Sequence, residues 1–159
     1  MEKIKGEDTA VVLDANVIIA GLISSSGINS RIALIAPLKY RCFYPETLLM
    51  EVLRHADIIA AKSGLSEENV RTALNHLTSH LERVRENKIA QYIGEVLREG
   101  LVKDEADAPY VAASLYLLIE KEFKQVILIT WNTKDYNTAK LRTKRILIMK
   151  SPEFSKKYL

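Results

Sequence analysis

Asp14 follows directly on the apolar run at residues 10–13 (AVVL), and Asn16 stands two positions later. A carboxylate at the end of a buried strand is costly unless it is paired, hydrogen-bonded or bound to a metal. Other acidic groups fall where the pattern changes. Glu51 lies between one and two turns into the helical pattern after residues 41–44. Asp107 opens DAPYVAASL, with Asp104 three residues before it. Asp135 closes the polar cluster of Thr130 and Asn132 in LITWNTKDY. In an open α/β sheet, ligands bind outside the carboxyl ends of the strands, which is where these residues are expected. Acidic side chains converging on one crevice repel each other, and a hard divalent cation relieves that repulsion. Mg²⁺ takes oxygen ligands, keeps several waters and suits carboxylates together with substrate phosphates. Such a cation polarises a phosphoryl oxygen and lowers the pKa of a bound water, which is the chemistry of phosphodiester hydrolysis.

Each of these residues also has an ordinary structural role open to it. Asp107 fits an N-cap or first-turn position ahead of Pro109, and Asp104 with Asp107 fits a capping arrangement. Glu51 and His55 form an i, i+4 pair that fits a helix-surface contact. Asn16 can bond local backbone at its turn. Asp14 is the hardest to explain this way, because its strand is otherwise wholly apolar. His76 and His80 have metal-pair spacing but no third ligand nearby, and they sit on the polar side of the Leu77/Leu81 stripe, which reads as a solvated face. Cys42 in its apolar run reads as a small hydrophobe. Trp131 and Tyr136 flank the acidic cluster and either stack on unpaired bases or pack at its rim.

These residues need a scaffold. Four short apolar runs have the length and density of buried parallel strands: residues 10–13, 41–44, 125–130 and 145–149. Helical patterns lie between them. One covers residues 29–38. A second covers 46–62, between Pro45 and Gly64. A third opens at Ser66-Glu67-Glu68-Asn69 with an apolar stripe running to Leu81 and Val84, and two more cover 89–99 and 105–118. Strands alternating with helices of this length predict an α/β three-layer sandwich, with the long helical insertion between the second and third strands as an extra layer or arm. No repeat, low-complexity tract or Pro/Gly-rich linker divides the chain, so residues 1–159 read as a single domain.

At 159 residues, 48% hydrophobic and 27% charged, the chain has the composition of a folded protein with a real core. No apolar run approaches the ~18 residues needed to cross a bilayer, and MEKIKGED is too charged and short for a secretory signal. A lone Cys42 excludes an intramolecular disulfide framework and a Cys-rich zinc site. A reducing, cytoplasmic setting without membrane contact fits. Charge is uneven: residues 131–159 hold eight basic side chains against two acidic ones. That segment, with Lys140, Arg142, Lys144 and Arg145 at its centre, fits either a polyanion contact or a solvated surface.

Taken in order, LDANVIIAGL, the Glu of PETLLMEVLRH, the Asp of DEADAPYVAASL and the tail motif ITWNTKDY resemble the PIN domain nucleases, which include the toxin ribonucleases of toxin–antitoxin pairs. The pieces span nearly the whole chain. The resemblance implies a parallel sheet of four or five strands and an acidic Mg²⁺ or Mn²⁺ site. It further implies cleavage of single-stranded RNA, an antitoxin protein as partner and a homodimer. By position, Asp14, Glu51 and Asp107 match the family's acidic residues, and Asn16 matches its polar position after the first Asp. Where many members have a fourth Asp, this chain has Asn132, followed by Asp135. Asp135 is the charged contributor carried over, with Thr130, Asn132 and Asp104 as supporting polar groups. The function implied is a metal-dependent endoribonuclease, with a catalytically weak PIN-like RNA-binding or scaffold module as the alternative that Asn132 permits. Phosphoryl transfer through an aspartyl intermediate is disfavoured, because Asn16 stands two after Asp14 and no lysine motif supports it.

Overall fold

A computed structural model describes residues 7–159; the charged opening segment at residues 1–6 lies outside the described residues. Five strands form one wholly parallel sheet: β1 (Thr9–Leu13), β2 (Arg41–Pro45), β3 (Glu82–Val84), β4 (Gln125–Ile129) and β5 (Ile146–Met149), in the order β3-β2-β1-β4-β5. The central strand β1 is buried along its whole length and pairs with β2 on one side and β4 on the other. A fully buried strand of this kind requires cover on both faces, and helices supply it. The helix α7 (Ala108–Ile119) packs on β1, β2 and β4, with α6 (Glu86–Arg98) against it. A second group contains α1 (Ala15–Ile23), α2 (Ile28–Ile35), α4 (Ala56–Ser63) and α5 (Glu67–Leu77), all in contact with α1. The α/β sandwich expected from the sequence is therefore present, with five strands.

Three local expectations need correction. The helical stripe from Ser66 does not reach Val84. Ser66 does cap α5, its hydroxyl accepting from the Asn69 amide at 3.1 Å. The helix then ends at Leu77, where Thr78 turns its hydroxyl back onto the Leu74 carbonyl at 2.9 Å. Beyond it, Glu82–Val84 pairs with β2 as an edge strand, so Val84 is buried as a strand residue in helical phase only by coincidence. The segment read as one helix over 46–62 is two, α3 (Thr47–Arg54) and α4, broken at His55 (φ −102°, ψ 13°). No Gly or Pro causes the break. It lets α3 and α4 both pack on α1, an instance of tertiary packing overriding propensity. The insertion between the second and third predicted strands is not an arm. It holds an edge strand of the sheet, and its helices pack on α1 and α7.

Three helices were not read from the sequence: α1, α8 (Thr138–Thr143) and α9 (Ser151–Tyr158). α1 follows β1 after only Asp14, which places that residue at the joint between a strand's carboxyl end and a helix. No single helix among the described residues is long and apolar enough to cross a membrane.

Candidate active site

The strand order makes β1 the switch point, since the chain leaves it for β2 on one side and returns at β4 on the other. Side chains at the carboxyl ends of β1 and β4 therefore face one crevice. Asp14, 4% exposed, is placed there by its own amide, which donates to the Ile129 carbonyl at 3.0 Å. Its Oδ2 accepts two hydroxyls, from Thr130 at 2.8 Å and from Tyr136 at 2.9 Å. Asn16 braces the same joint. Its amide donates to the Thr130 hydroxyl at 3.1 Å, and its carbonyl oxygen accepts from the Trp131 amide at 3.1 Å. Thr130 itself is fully buried, its hydroxyl also accepting the Asn132 amide at 3.1 Å. This hydrogen-bonded set offsets part of the cost of an Asp behind an apolar strand.

Glu51, half-buried on α3, accepts the Tyr110 hydroxyl at 3.0 Å; no hydrogen bond joins it to His55. Asp104 and Asp107 behave differently despite their spacing. Asp104 is exposed and caps a short 3₁₀ turn (Glu105–Asp107), accepting the Ala106 amide at 3.0 Å. Asp107 precedes α7 but makes no capping bond. Its carboxyl is instead pushed up to about 7, first by burial and then by the charges of Asp14, Asp104, Asp135 and Glu51. Burial also raises Asp14, against the lowering by its hydroxyl and backbone donors, and it raises Glu51, with Asp14 adding to the shift. These carboxylates thus share one electrostatic environment. A cleft of about 550 Å³ opens beside Glu51, walled by Met50, Arg54, His55 and Pro109.

Other expected residues sit elsewhere. The Asn132 side chain is exposed, and only its backbone joins the network. Tyr136 is 3% exposed, so it is not a stacking platform; its contribution is its hydroxyl. Trp131 is half-buried, its indole N–H donating to Asn29 at 2.9 Å, which makes it rim packing. Cys42 is buried, its thiol pushed up to about 12 by desolvation, as an inert small side chain would be. The basic set runs away from the crevice. Lys140 donates to the Glu99 carbonyl at 2.9 Å, and Lys144 pairs with Glu99 at 2.8 Å and lies 3.8 Å from Glu95. Arg145 precedes β5 at its amino end, beside the start of β4, so a strand length of roughly 13 Å separates it from the level of Thr130. Arg142 is exposed on the same helix α8.

Sequence reasoning missed Tyr110, the fully buried hydroxyl on Glu51. One signal was available. A Tyr in the apolar stripe of α7, three residues after Asp107, has a hydroxyl that must find a partner once buried.

The model of the PIN domain family matches residues 12–120, a span that includes Asp14, Glu51 and Asp107. The chain belongs to the PIN domain family. At the family level this is a nuclease fold. Solved structures agree on the architecture. VapBC2 from Rickettsia felis, crystallised with a DNA fragment from its promoter, superposes with a TM-score of 0.60 at 16% identity, covering 89% of this chain and 98% of that one. VapBC-1 from nontypeable Haemophilus influenzae superposes with a TM-score of 0.58 at 19% identity, covering 90% and 98%. At these identities the likeness establishes the fold alone. No curated protein sequence matches the chain.

PIN nucleases generally use divalent metals, and the residues present fit such an ion in kind. The donors are carboxylate oxygens, and Asp107 carries unrelieved repulsion from four other carboxylates. Among the described residues no three His, Cys, Asp or Glu side chains form a ready-made cage. A fit therefore requires an ion that completes its shell with water or substrate, as Mg²⁺ does.

Proposed function

We propose that the protein is a metal-dependent endoribonuclease that hydrolyses phosphodiester bonds of single-stranded RNA, acting as the toxin of a toxin–antitoxin pair. The observation that carries the reading is Asp14 held at the carboxyl end of β1 by the Thr130 and Tyr136 hydroxyls, with the charges of Asp14, Glu51 and Asp135 close enough to Asp107 to raise its carboxyl. Asp14, Glu51, Asp107 and Asp135 would hold Mg²⁺ or Mn²⁺. When bound, the ion supplies Lewis-acid polarisation of a phosphoryl oxygen and an acidified water. Thr130 and Tyr136 hold the Asp14 carboxylate, Tyr110 holds Glu51, and Asn16 ties the two strand ends together.

An antitoxin partner and a homodimer are part of the same proposal, and the fold shared with the two VapBC structures supports the first of them. The test is incubation of fluorescent single-stranded RNA with Mg²⁺, Mn²⁺ or EDTA, beside duplex RNA and single-stranded DNA. Cleavage that needs the metal and prefers the unpaired RNA is expected. RNA binding without cleavage under any metal would favour the scaffold reading, which the exposed Asn132 permits.

RNA affinity should fall steeply with salt, because phosphate contacts release counterions. The proposed contacts are Lys140, Arg142, Lys144 and Arg145. Lys140 and Lys144 are already engaged by α6, so Arg142 and Arg145 should carry most of the effect. Gln at both arginines should flatten the slope of log affinity against log salt by about 1–2, roughly 0.7 per lost contact on a single strand. An unchanged slope would mean that this face is only solvated.

A further inference from the structure

We propose that Tyr136 is a positioning residue for Asp14: its hydroxyl and that of Thr130 together saturate Oδ2, fixing Oδ1 as the oxygen that Asp14 offers to a divalent cation. The inference rests on the metal-dependent reading above and adds a residue to it. The two donors approach Oδ2 at 2.8 and 2.9 Å. A carboxylate oxygen has two lone pairs, so this one has no remaining acceptor site. Packing alone does not call for the Tyr136 hydroxyl. A phenylalanine would fill the same space without bringing a polar group into a site where it must be bonded.

The backbone that carries the ring is also held from outside the side-chain network. Tyr136 forms an antiparallel bridge with Val102, the Lys103 amide donates to the Asp135 carbonyl at 2.8 Å, and the Asn137 amide donates to the Leu101 carbonyl at 2.9 Å. These tethers come from the segment that leads into Asp104 and Asp107. Tyr136 therefore links the carboxylate of β1 to the loop that delivers Asp107. Tyr110 makes the same kind of contact to Glu51 Oε1 at 3.0 Å, so a second carboxylate is oriented by a buried phenol. Partners that orient metal ligands in this way typically alter metal affinity 10–100-fold when removed.

Mn²⁺ binding measured by electron paramagnetic resonance titration, with no RNA present, tests the assignment in wild type, Tyr136→Phe, Thr130→Val, Thr130→Ser and Asp14→Asn. Asp14→Asn should lose the site. Tyr136→Phe should weaken Mn²⁺ on the order of 10–100-fold while still melting cooperatively as a folded protein in EDTA. Thr130→Val should weaken it similarly, and Thr130→Ser, which keeps the hydroxyl, should restore it. If Asp14→Asn abolishes binding and Tyr136→Phe binds as wild type does, the positioning role is wrong and the metal site stands. If Asp14→Asn binds as wild type does, the metal reading fails and takes this proposal with it. Should Tyr136→Phe fold poorly, the two Thr130 variants test the same oxygen, and equal Mn²⁺ affinity in Val and Ser would overturn the assignment.

Discussion

Asp107→Asn should abolish metal-dependent cleavage of single-stranded RNA, by well over the 10–100-fold typical of residues that act through a ligand, and leave the fold intact. The substitution removes a charge from the centre of the acidic group while keeping the side chain's size. Asp107 makes no capping bond, so nothing structural is lost with it. Asp104→Asn should retain nearly full activity. That side chain is exposed and serves the Ala106 amide, a bond an asparagine oxygen can also accept. Asp104→Ala, which cannot, should cost about 1 kcal/mol of stability. Turnover of a labelled RNA and thermal melts of the three variants decide the matter. Loss of activity in Asp104→Asn with activity kept in Asp107→Asn would reverse the assignment.

The second large effect is on stability against pH. Without divalent metal, the folded protein holds a proton on Asp107 up to about 7, whereas the unfolded chain releases it near the ordinary Asp value of ~4. Between those limits the native state binds more protons than the unfolded one, so unfolding free energy falls as pH rises. The contribution is fully present below about pH 4 and gone above about pH 7. The raised carboxyls of Asp14 and Glu51 act in the same direction. Millimolar Mn²⁺ should reverse the slope, since it binds the ionised native site and adds stability by mass action. Melting temperatures from pH 5 to 8 in EDTA and in Mn²⁺ measure both effects. Asp107→Asn in EDTA should flatten the fall and melt above wild type at pH 8. Identical slopes in the two proteins would show that Asp107 is not the group under pressure.

Much of the layout was legible because burial writes itself into short apolar runs. The four expected strands match β1, β2, β4 and β5 to within a residue at either end. The edge strand at Glu82–Val84 was illegible for the converse reason: two of its three residues are charged and exposed. The break at His55 carries no Gly or Pro signal, since packing on α1 decides it. Among the candidate site residues, the acidic types could be read, with Asp14 and Asp107 at element ends and Glu51 within a helical pattern. Which hydroxyls hold Asp14 could not be read, because Thr130 and Tyr136, though both placed near the site, lie 116 and 122 positions from it. The basic segment shows a different limit. Counting charge along a chain does not reveal which end of a sheet it decorates, and here Arg142 on α8 and Arg145 just before β5 lie toward the amino ends of the strands.

Those long separations govern when the crevice comes into being. During synthesis the chain emerges amino end first. Asp14 is made early, yet its strand lacks its β4 neighbour, and its carboxylate lacks both hydroxyls, until residues 125–136 have left the ribosome. Contacts of this sequence distance also form late in folding, because the loop between them must close first. Glu51 and Asp107 wait on the same docking, since α7 packs against β1, β2 and β4 together. The acidic crevice thus cannot assemble on a nascent chain until most of it has been translated, and the joining of β1 to β4 is the event that completes it.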